Sequence, residues 1–288
     1  MANINELNGK KVLITGANSG IGLVTAQALA ARGASISIIC RSEPKGLATC
    51  DQIEADTGHR PHLFIADLSD LAQVQRVANE VRETLTSLDV LVNNAGAYFP
   101  RWMPSAQGYE RTFALNHLGY FLLTHHLTPI ISDGGRIVNV ASRAHQRAKL
   151  DLNDLEFKSR RFSSFIVYST SKHLNILFNQ ALARRLKEEG RGITANCLHP
   201  GVVRTGFGQD YKGLFSILTQ VFGLFFISPE KGAQTSIYLA SSSEVEGLSG
   251  GYYDRCTQIQ PRADALDEIL ADTLWNKSLE YCKGFLRE

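Results

Sequence analysis

Between a short apolar run, Lys11 to Thr15 (KVLIT), and a helical pattern from Gly20 to Arg32 lies the junction Thr15-Gly16-Ala17-Asn18-Ser19-Gly20-Ile21-Gly22. Glycines placed there let a strand turn sharply into a helix and let the backbone approach a bound group closely. The helix N-terminus adds free N–H groups and the positive end of its dipole, which together suit a pyrophosphate. A tight structural turn is the plain alternative. The spacing is T-G-x-x-x-G-x-G and not G-x-G-x-x-G, so the strand before and the helix after carry the reading. The candidate contacts are Gly16, Asn18, Ser19, Gly20, Ile21 and Gly22.

The same rhythm continues along the chain. Strand-like runs occupy 35–40 (SISIIC), 62–66, 88–92, 137–140 and 193–197, with a weaker one at 251–253. Helical patterns fill 44–56, 71–85 and the stretch around 109–127, and 263–286 reads as a closing amphipathic helix carrying Trp275. Short buried strands alternating with helices are the mark of βαβ units. Right-handed crossovers then place helices on both faces of one parallel sheet. The expected fold is therefore α/β, a doubly wound, Rossmann-type sheet of about seven strands. No linker interrupts the alternation, so 1–288 reads as one domain, with 10–200 as the cofactor-binding core. Two segments break the rhythm, 143–162 and 201–228, and long loops inside compact domains are usually lids or binding loops.

Charge excludes some classes. Thirty Lys and Arg against 28 Asp and Glu leave a net +2, with no basic run dense enough for nucleic acid. The five cysteines stand at 40, 50, 197, 256 and 282 with no C-x-x-C pair, so a disulfide framework and a zinc site are not expected. A reducing compartment, the cytoplasm, fits that pattern. The N-terminal residues are polar, and no apolar stretch reaches the roughly 20 residues of a spanning helix.

At the end of the second strand, nineteen residues after Gly22, stands Arg41 and not an acidic residue. An acid there accepts from a ribose 2′-hydroxyl, whereas arginine pairs with a 2′-phosphate, and Lys45 adds a second positive charge. NADP(H) is favoured over NAD(H) on this ground, against the alternative of a solvated surface arginine.

Tyr168-Ser169-Thr170-Ser171-Lys172 puts a phenol and an ammonium four residues apart, on one face if the segment is helical. A phenol near pKa 10 is a poor base at neutral pH. A neighbouring ammonium and an oxidised nicotinamide favour the tyrosinate, and lowering the value to about 7 takes roughly 4 kcal/mol. Ser142 ends the fifth strand (VNVAS), where a parallel sheet presents its ligand edge; Asn93-Asn94-Ala95-Gly96 ends the fourth, and Asn116 follows in the next helix. Each has a plain reading as well: Ser142 as a cap, Asn93 and Asn94 as turn formers, Asn116 as a satisfied buried amide.

Taken together these motifs resemble the short-chain dehydrogenase/reductase family over nearly the whole chain. They are TGANSGIG (15–22), Asp67, NNAG (93–96), Asn116, Ser142, YSTSK (168–172) and His199-Pro200-Gly201. The resemblance implies Tyr168 as acid/base, Ser142 as holder of the reacting oxygen and Lys172 on the nicotinamide ribose. It implies that Asn116 anchors a water in a proton relay, that Asp67 and Leu68 lie at the adenine, and that Asn94, Ala95 and Gly96 wall the adenosine. Pro200, Gly201, Val203 and Thr205 would hold the nicotinamide end. The sheet order 3-2-1-4-5-6-7 and a homodimer or homotetramer are likewise implied. CRSEPKG (40–46), SRAH (142–145), LHPGVVRT (198–205), SPEKGA (228–233) and GGYYDRC (250–256) are similar to the retinol-dehydrogenase-like branch, which usually prefers NADP(H). Many of its members carry an N-terminal membrane anchor, which this chain, starting almost at its first strand, is not expected to have.

The apolar stretch 213–227 is read as lining a hydrophobic substrate pocket, as lying on a membrane surface, or as packing in the core or against another subunit. The pocket reading makes the substrate a bulky apolar aldehyde, ketone or retinoid-like alcohol. No metal site is expected: His125 and His126 are adjacent, point apart and have no third ligand. His145, next to the strand that ends in Ser142, is expected at the surface, with reach to the substrate as the alternative. A dinucleotide-binding regulator or scaffold without turnover is the rival function; a missing tyrosine, lysine or serine would mark it, and all three are present.

Overall fold

Strand β1 (Lys11–Thr15) has Val12 and Ile14 on one face and Leu13 on the other, all buried. A strand apolar on both faces must be covered on both, and this chain covers it with helices. The computed structural model describes residues 6–201 and 227–286. In it α1 (Gly20–Ala30), β2 (Ser35–Cys40), α2 (Glu43–Thr57), β3 (His62–Ile65), α3 (Leu71–Thr84) and β4 (Leu88–Asn93) follow in turn. After β4 come a short turn α4 (Arg111–Phe113), a π-helical turn Ala114–Leu118 and α5 (Gly119–Leu127). Then come β5 (Ile131–Val140), α6 (Ser164–Glu188), β6 (Thr194–His199), α7 (Pro229–Ser241), β7 (Tyr252–Asp254), β8 (Thr257–Ile259) and α8 (Glu268–Cys282).

The sheet order is β3-β2-β1-β4-β5-β6-β7-β8, parallel except for the β7–β8 pair. Two apolar layers follow from the strand alternation. Val12, Ile14, Val90, Val92 and Val138 pack under α1, α2 and α7, while Leu13, Leu91 and Ile137 pack under α3, α5, α6 and α8. The chain builds outward from β1 to β3, then returns to lay β4 on the other side of β1. That reversal leaves a crevice at the carboxyl ends of β1 and β4, the place where such sheets take ligands.

The sheet has eight strands against the expected seven. β8 follows β7 through a two-residue turn in which Arg255 and Cys256 have φ of 51° and 60°. Both central residues being left-handed is the type I′ hairpin geometry, normally flagged by Asn-Gly or Asp-Gly; Arg-Cys carries no such signal. β5 starts six residues earlier than expected, at Ile131, because its register against β4 shifts between Leu88 and Val90 around the exposed Asp133 and Gly134. The closing helix is also interrupted. A 3-10 turn (Ala263–Leu266) precedes α8, whose start is set by the Asp267 carboxylate accepting from the Leu270 N–H at 3.0 Å, and a second turn (Lys283–Phe285) follows it. Among the described residues no helix is long and apolar enough to cross a membrane.

Candidate active site

The crevice is built first from backbone. Thr15 Oγ1 accepts the N–H groups of Asn94 and Ala95, each at 2.9 Å, and Asn94 Nδ2 donates to the Thr15 carbonyl at 2.8 Å. These bonds stitch the ends of β1 and β4 together and set the approach of the two loops. A Cβ on Gly16, which sits at φ 66°, would come within 2.8 Å of Ala95 Cα; one on Gly22 would meet Asn94 Nδ2 at 2.5 Å and the Gly16 carbonyl at 2.6 Å. Only glycine fits at either place. Ser19, the exposed N-cap of α1, has an extended backbone and no side-chain bond to the helix, and no acidic residue lies in the first turn. The first N–H groups of α1, from Gly20 through Gly22, have no acceptor within the helix and suit an anionic group, with Asn18 beside them in the turn.

Arg41 and Lys45 lie exposed at the far end of this crevice, just after β2 and in the first turn of α2. Asp67 follows β3. Burial acts to raise its pKa, but bonds from the Ser69 hydroxyl (2.7 Å) and amide (2.9 Å), with Arg111 at 3.0 Å, outweigh it and hold the carboxyl below its ordinary value. Arg111 is the partner that the sequence reading missed; it lies forty-four positions away with no local cue. Leu68 is buried, its carbonyl packed against Gly119 of α5.

The four expected catalytic residues converge at the neighbouring strand ends. Asn116 lies in the π-helical turn, a distortion common at functional sites because it frees a backbone carbonyl. Its side chain clamps Ala97, accepting from the N–H at 2.9 Å and donating to the carbonyl at 3.0 Å, and it also donates to Ser171 Oγ at 2.9 Å. Lys172 is buried, donates to the Val140 carbonyl at 2.8 Å and sits 5.9 Å from the Tyr168 ring centre. Gly96 leaves it room, since a Cβ there would stand 3.3 Å from its Nζ. Ser142 serves as cap and as site residue together: its Oγ accepts the Ala144 N–H at 3.1 Å and hydrogen-bonds the Tyr168 phenol. Tyr98 packs edge-on against Tyr168 with ring centres 6.3 Å apart, and its hydroxyl meets Ser164 Oγ at 2.7 Å.

The expected lowering of the Tyr168 pKa is not met by the protein alone. Burial of the phenol dominates and pushes it up to about 12, with the Ser142 bond acting the other way, although part of the ring remains accessible. Burial likewise takes Lys172 down to about 7. A dry site disfavours both charges, and an ammonium nearly 6 Å from the ring centre does not reverse that.

Pro200 and Gly201 follow β6 at the same edge, with Gly201 at φ 86° against Ile227. Val203, Thr205 and the stretch 213–226 lie outside the described residues. His145, expected at the surface, is instead buried at 1% exposure, because the 3-10 turn Arg143–Arg147 folds it back beneath Ser142. His126 bonds the Phe285 carbonyl at 2.8 Å, tying the chain's last turn to α5.

A glycine cradle at the sheet's reversal and a Ser-Tyr-Lys-Asn cluster beside it define a nucleotide-dependent oxidoreductase fold. The short chain dehydrogenase family model matches residues 10–212. Human retinol dehydrogenase 14 is 39% identical, covering 98% of this chain and 88% of its own length. The solved structure of an uncharacterized Mycobacterium paratuberculosis protein superposes with a TM-score of 0.81 at 32% identity, covering 98% of this chain and 96% of that one. A short chain dehydrogenase from Burkholderia cenocepacia J2315, solved in complex with NADP, superposes at 0.69 with 27% identity, over 86% of this chain and 96% of that one. This chain belongs to the short-chain dehydrogenase/reductase family, in its retinol-dehydrogenase-like branch, and is an oxidoreductase that uses a nicotinamide dinucleotide.

Proposed function

We propose that the chain interconverts a bulky apolar alcohol and its aldehyde or ketone, using NADP(H), with Tyr168 as the acid/base. The observation that carries this is the meeting of Ser142, Tyr168, Lys172 and the Asn116 turn beside the cradle of Gly16 and Gly22. When bound, the nicotinamide supplies or accepts the hydride. Ser142 holds the reacting oxygen against the phenol. In the reductive direction Tyr168 donates its proton to the developing alkoxide, and a phenol held up near 12 keeps that proton at neutral pH. Lys172 would hold the ribose, and in the reverse direction its ammonium together with the positive charge of the oxidised nicotinamide would favour the tyrosinate. The side chains of Arg41 and Lys45 support NADP(H), since both are exposed where a 2′-phosphate would lie and outnumber the one acid between them, Glu43.

Beside Ser164, one turn before Tyr168 in α6, lies a half-open cleft of about 670 Å³ with walls from Pro100, Phe157, Phe162 and Ile166 and basic groups from Lys149, Arg160 and Arg161. Ser142 and Tyr168 do not line it, so a substrate in it would reach them past Ser164. That size suits a drug-sized organic molecule. All five cysteines are free thiols and four are buried, which supports a reducing, cytoplasmic setting. A homodimer or homotetramer belongs to the same proposal and is checked by light scattering.

The deciding experiment follows NADPH oxidation at 340 nm with apolar aldehydes and ketones, some bearing an acidic end group, in the native protein and in Tyr168→Phe. Turnover that drops at least about 10²-fold with NADPH affinity unchanged supports the acid/base role. Undiminished turnover in Tyr168→Phe would remove it, and no turnover by the native protein on any carbonyl would favour the regulator reading.

A further inference from the structure

His145 touches the active-site serine from below and the C-terminal segment from the other side. Its Nδ1 lies 2.7 Å from the Ser142 carbonyl, and its Nε2 lies 3.2 Å from the backbone nitrogen of Arg262, 117 positions later. A backbone N–H can only donate, so Nε2 is the acceptor, and in a neutral ring the proton then sits on Nδ1. The Nδ1–H donates to the Ser142 carbonyl, which also receives the His145 backbone N–H at 3.1 Å. The ring itself has no freedom to swing. Tyr252 of β7 packs edge-on at 5.1 Å between centres, with its hydroxyl 3.4 Å from Nδ1, and His173 stacks on the other face at 6.4 Å. Burial lowers the His145 pKa, which keeps the ring in the neutral, one-donor form.

Arg262 grips the same turn a second time. Its guanidinium donates to the Ala148 carbonyl at 2.8 Å and pairs with Asp264, so both ends of the 3-10 turn carrying Ser142 are tied to the segment that leads into α8. The residues on either side of Ser142 are tied to β6 and β7, the Ala141 N–H to the Leu198 carbonyl at 2.8 Å and the Arg143 N–H to His199 Nδ1 at 3.1 Å, with the Arg143 guanidinium on Asp254. The Ser142 carbonyl itself is held by His145, and its Oγ by the Ala144 N–H and the phenol of Tyr168.

We propose that His145 is a positioning residue for Ser142, its Nδ1–H fixing the serine's backbone while Arg262 fixes the ring through Nε2. The C-terminal segment thereby sets the geometry of the active site, although no residue of it reaches the reacting atoms. This rests on the reading of Ser142 as the holder of the reacting oxygen.

Two substitutions separate the two bonds. His145→Asn places an amide N–H near the position of Nδ1 and leaves Arg262 unanswered. His145→Gln places a carbonyl oxygen near Nε2 and leaves Ser142 without its donor. With the native protein as reference, His145→Gln is expected to lose about 10- to 100-fold in kcat, the scale of a misplacement near 1 Å, at unchanged NADPH Kd. His145→Asn is expected to recover most of that loss even where its Tm falls as far. Equal losses of kcat in the two variants, or losses that follow Tm alone, would overturn the proposal.

Ser142→Ala serves as the control on the underlying reading. If it retains turnover, the assignment of Ser142 fails; if it loses turnover while His145→Gln does not, the positioning role fails. Should the histidine variants not fold, Arg262 gives the same test, because its φ of −59° accepts proline. Arg262→Pro removes the N–H that Arg262→Ala keeps, and a kcat several-fold below that of Arg262→Ala is the expected result. Identical kcat values in that pair would overturn the proposal.

Discussion

The two halves of the sheet assemble their parts of the site by different means. From β1 to β4 the binding groups are mostly backbone, brought together by Thr15 and Asn94 at adjacent strand ends and by glycines that leave no other choice of residue. After β4 they are side chains, and each is held from a distant part of the chain. Lys172 rests on Val140, Asn116 on Ala97 and Ser171, and the Ser142 turn on His145 and Arg262. The first half tolerates change where the backbone path survives. The second depends on packing that converges from several elements, so a substitution there acts through orientation.

The contrast is open to direct attack, and the largest effect should fall in the backbone half. Gly22→Ala must displace either Asn94 Nδ2 or the Gly16 carbonyl. Overpacking of this kind costs about 1–3 kcal/mol, so NADPH should bind up to roughly 100-fold more weakly in a fluorescence titration. Binding within two-fold of native would show that the cradle yields more readily than its geometry implies.

Arg41→Asp tests whether that half also selects the dinucleotide. Loss of a charge-assisted bond, about 1.5–3 kcal/mol, should cut the NADPH:NADH affinity ratio by about 10- to 100-fold. An unchanged ratio would mean that Arg41 does not meet the 2′-phosphate.

The side-chain half is sharpened by pH. Alcohol oxidation needs the tyrosinate, whose fraction rises about tenfold per pH unit below its pKa, and burial has raised that pKa. Oxidation should therefore accelerate steadily from pH 6 upward, while carbonyl reduction, using the protonated phenol, should not gain. Oxidation that is flat above pH 7 would mean that bound cofactor lowers the phenol to neutrality. The smallest effect belongs far from the site: Cys256→Gly relieves a left-handed non-glycine residue in the β7–β8 turn. It should raise stability by about 1 kcal/mol in urea denaturation with kcat unchanged.

Much of this was legible beforehand, and unevenly so. The strand and helix succession could be read because a parallel sheet buried on both faces leaves continuous apolar runs, and β1 to β4 fall within a residue or two of the expected bounds. β8 was not legible, since its turn uses Arg255 and Cys256 where the geometry calls for glycine or asparagine. Nor was the start of β5, where a register shift interrupts the pattern around Asp133 and Gly134. Tyr168, Lys172, Ser142 and Asn116 could be found as residues, yet their protonation could not. The same four-residue spacing fits a lowered phenol in water and a raised one in a dry pocket.

His145 shows where the boundary lies. Its place three residues after Ser142 is plain in the sequence, but its burial comes from a 3-10 turn that folds it inward and from Tyr252, His173 and Arg262 closing around it. The sequence by itself determined the parallel α/β sheet, the glycine turn and which side chains are candidates for the site, because these depend on local periodicity, on glycine's lack of a Cβ and on residue chemistry. Only the tertiary structure decided that Asp67 pairs with Arg111, that burial pushes the Tyr168 pKa up and that the C-terminal segment bonds His145 beneath Ser142. Those outcomes depend on desolvation and on contacts between residues tens of positions apart, and neither is written in any local stretch of the chain.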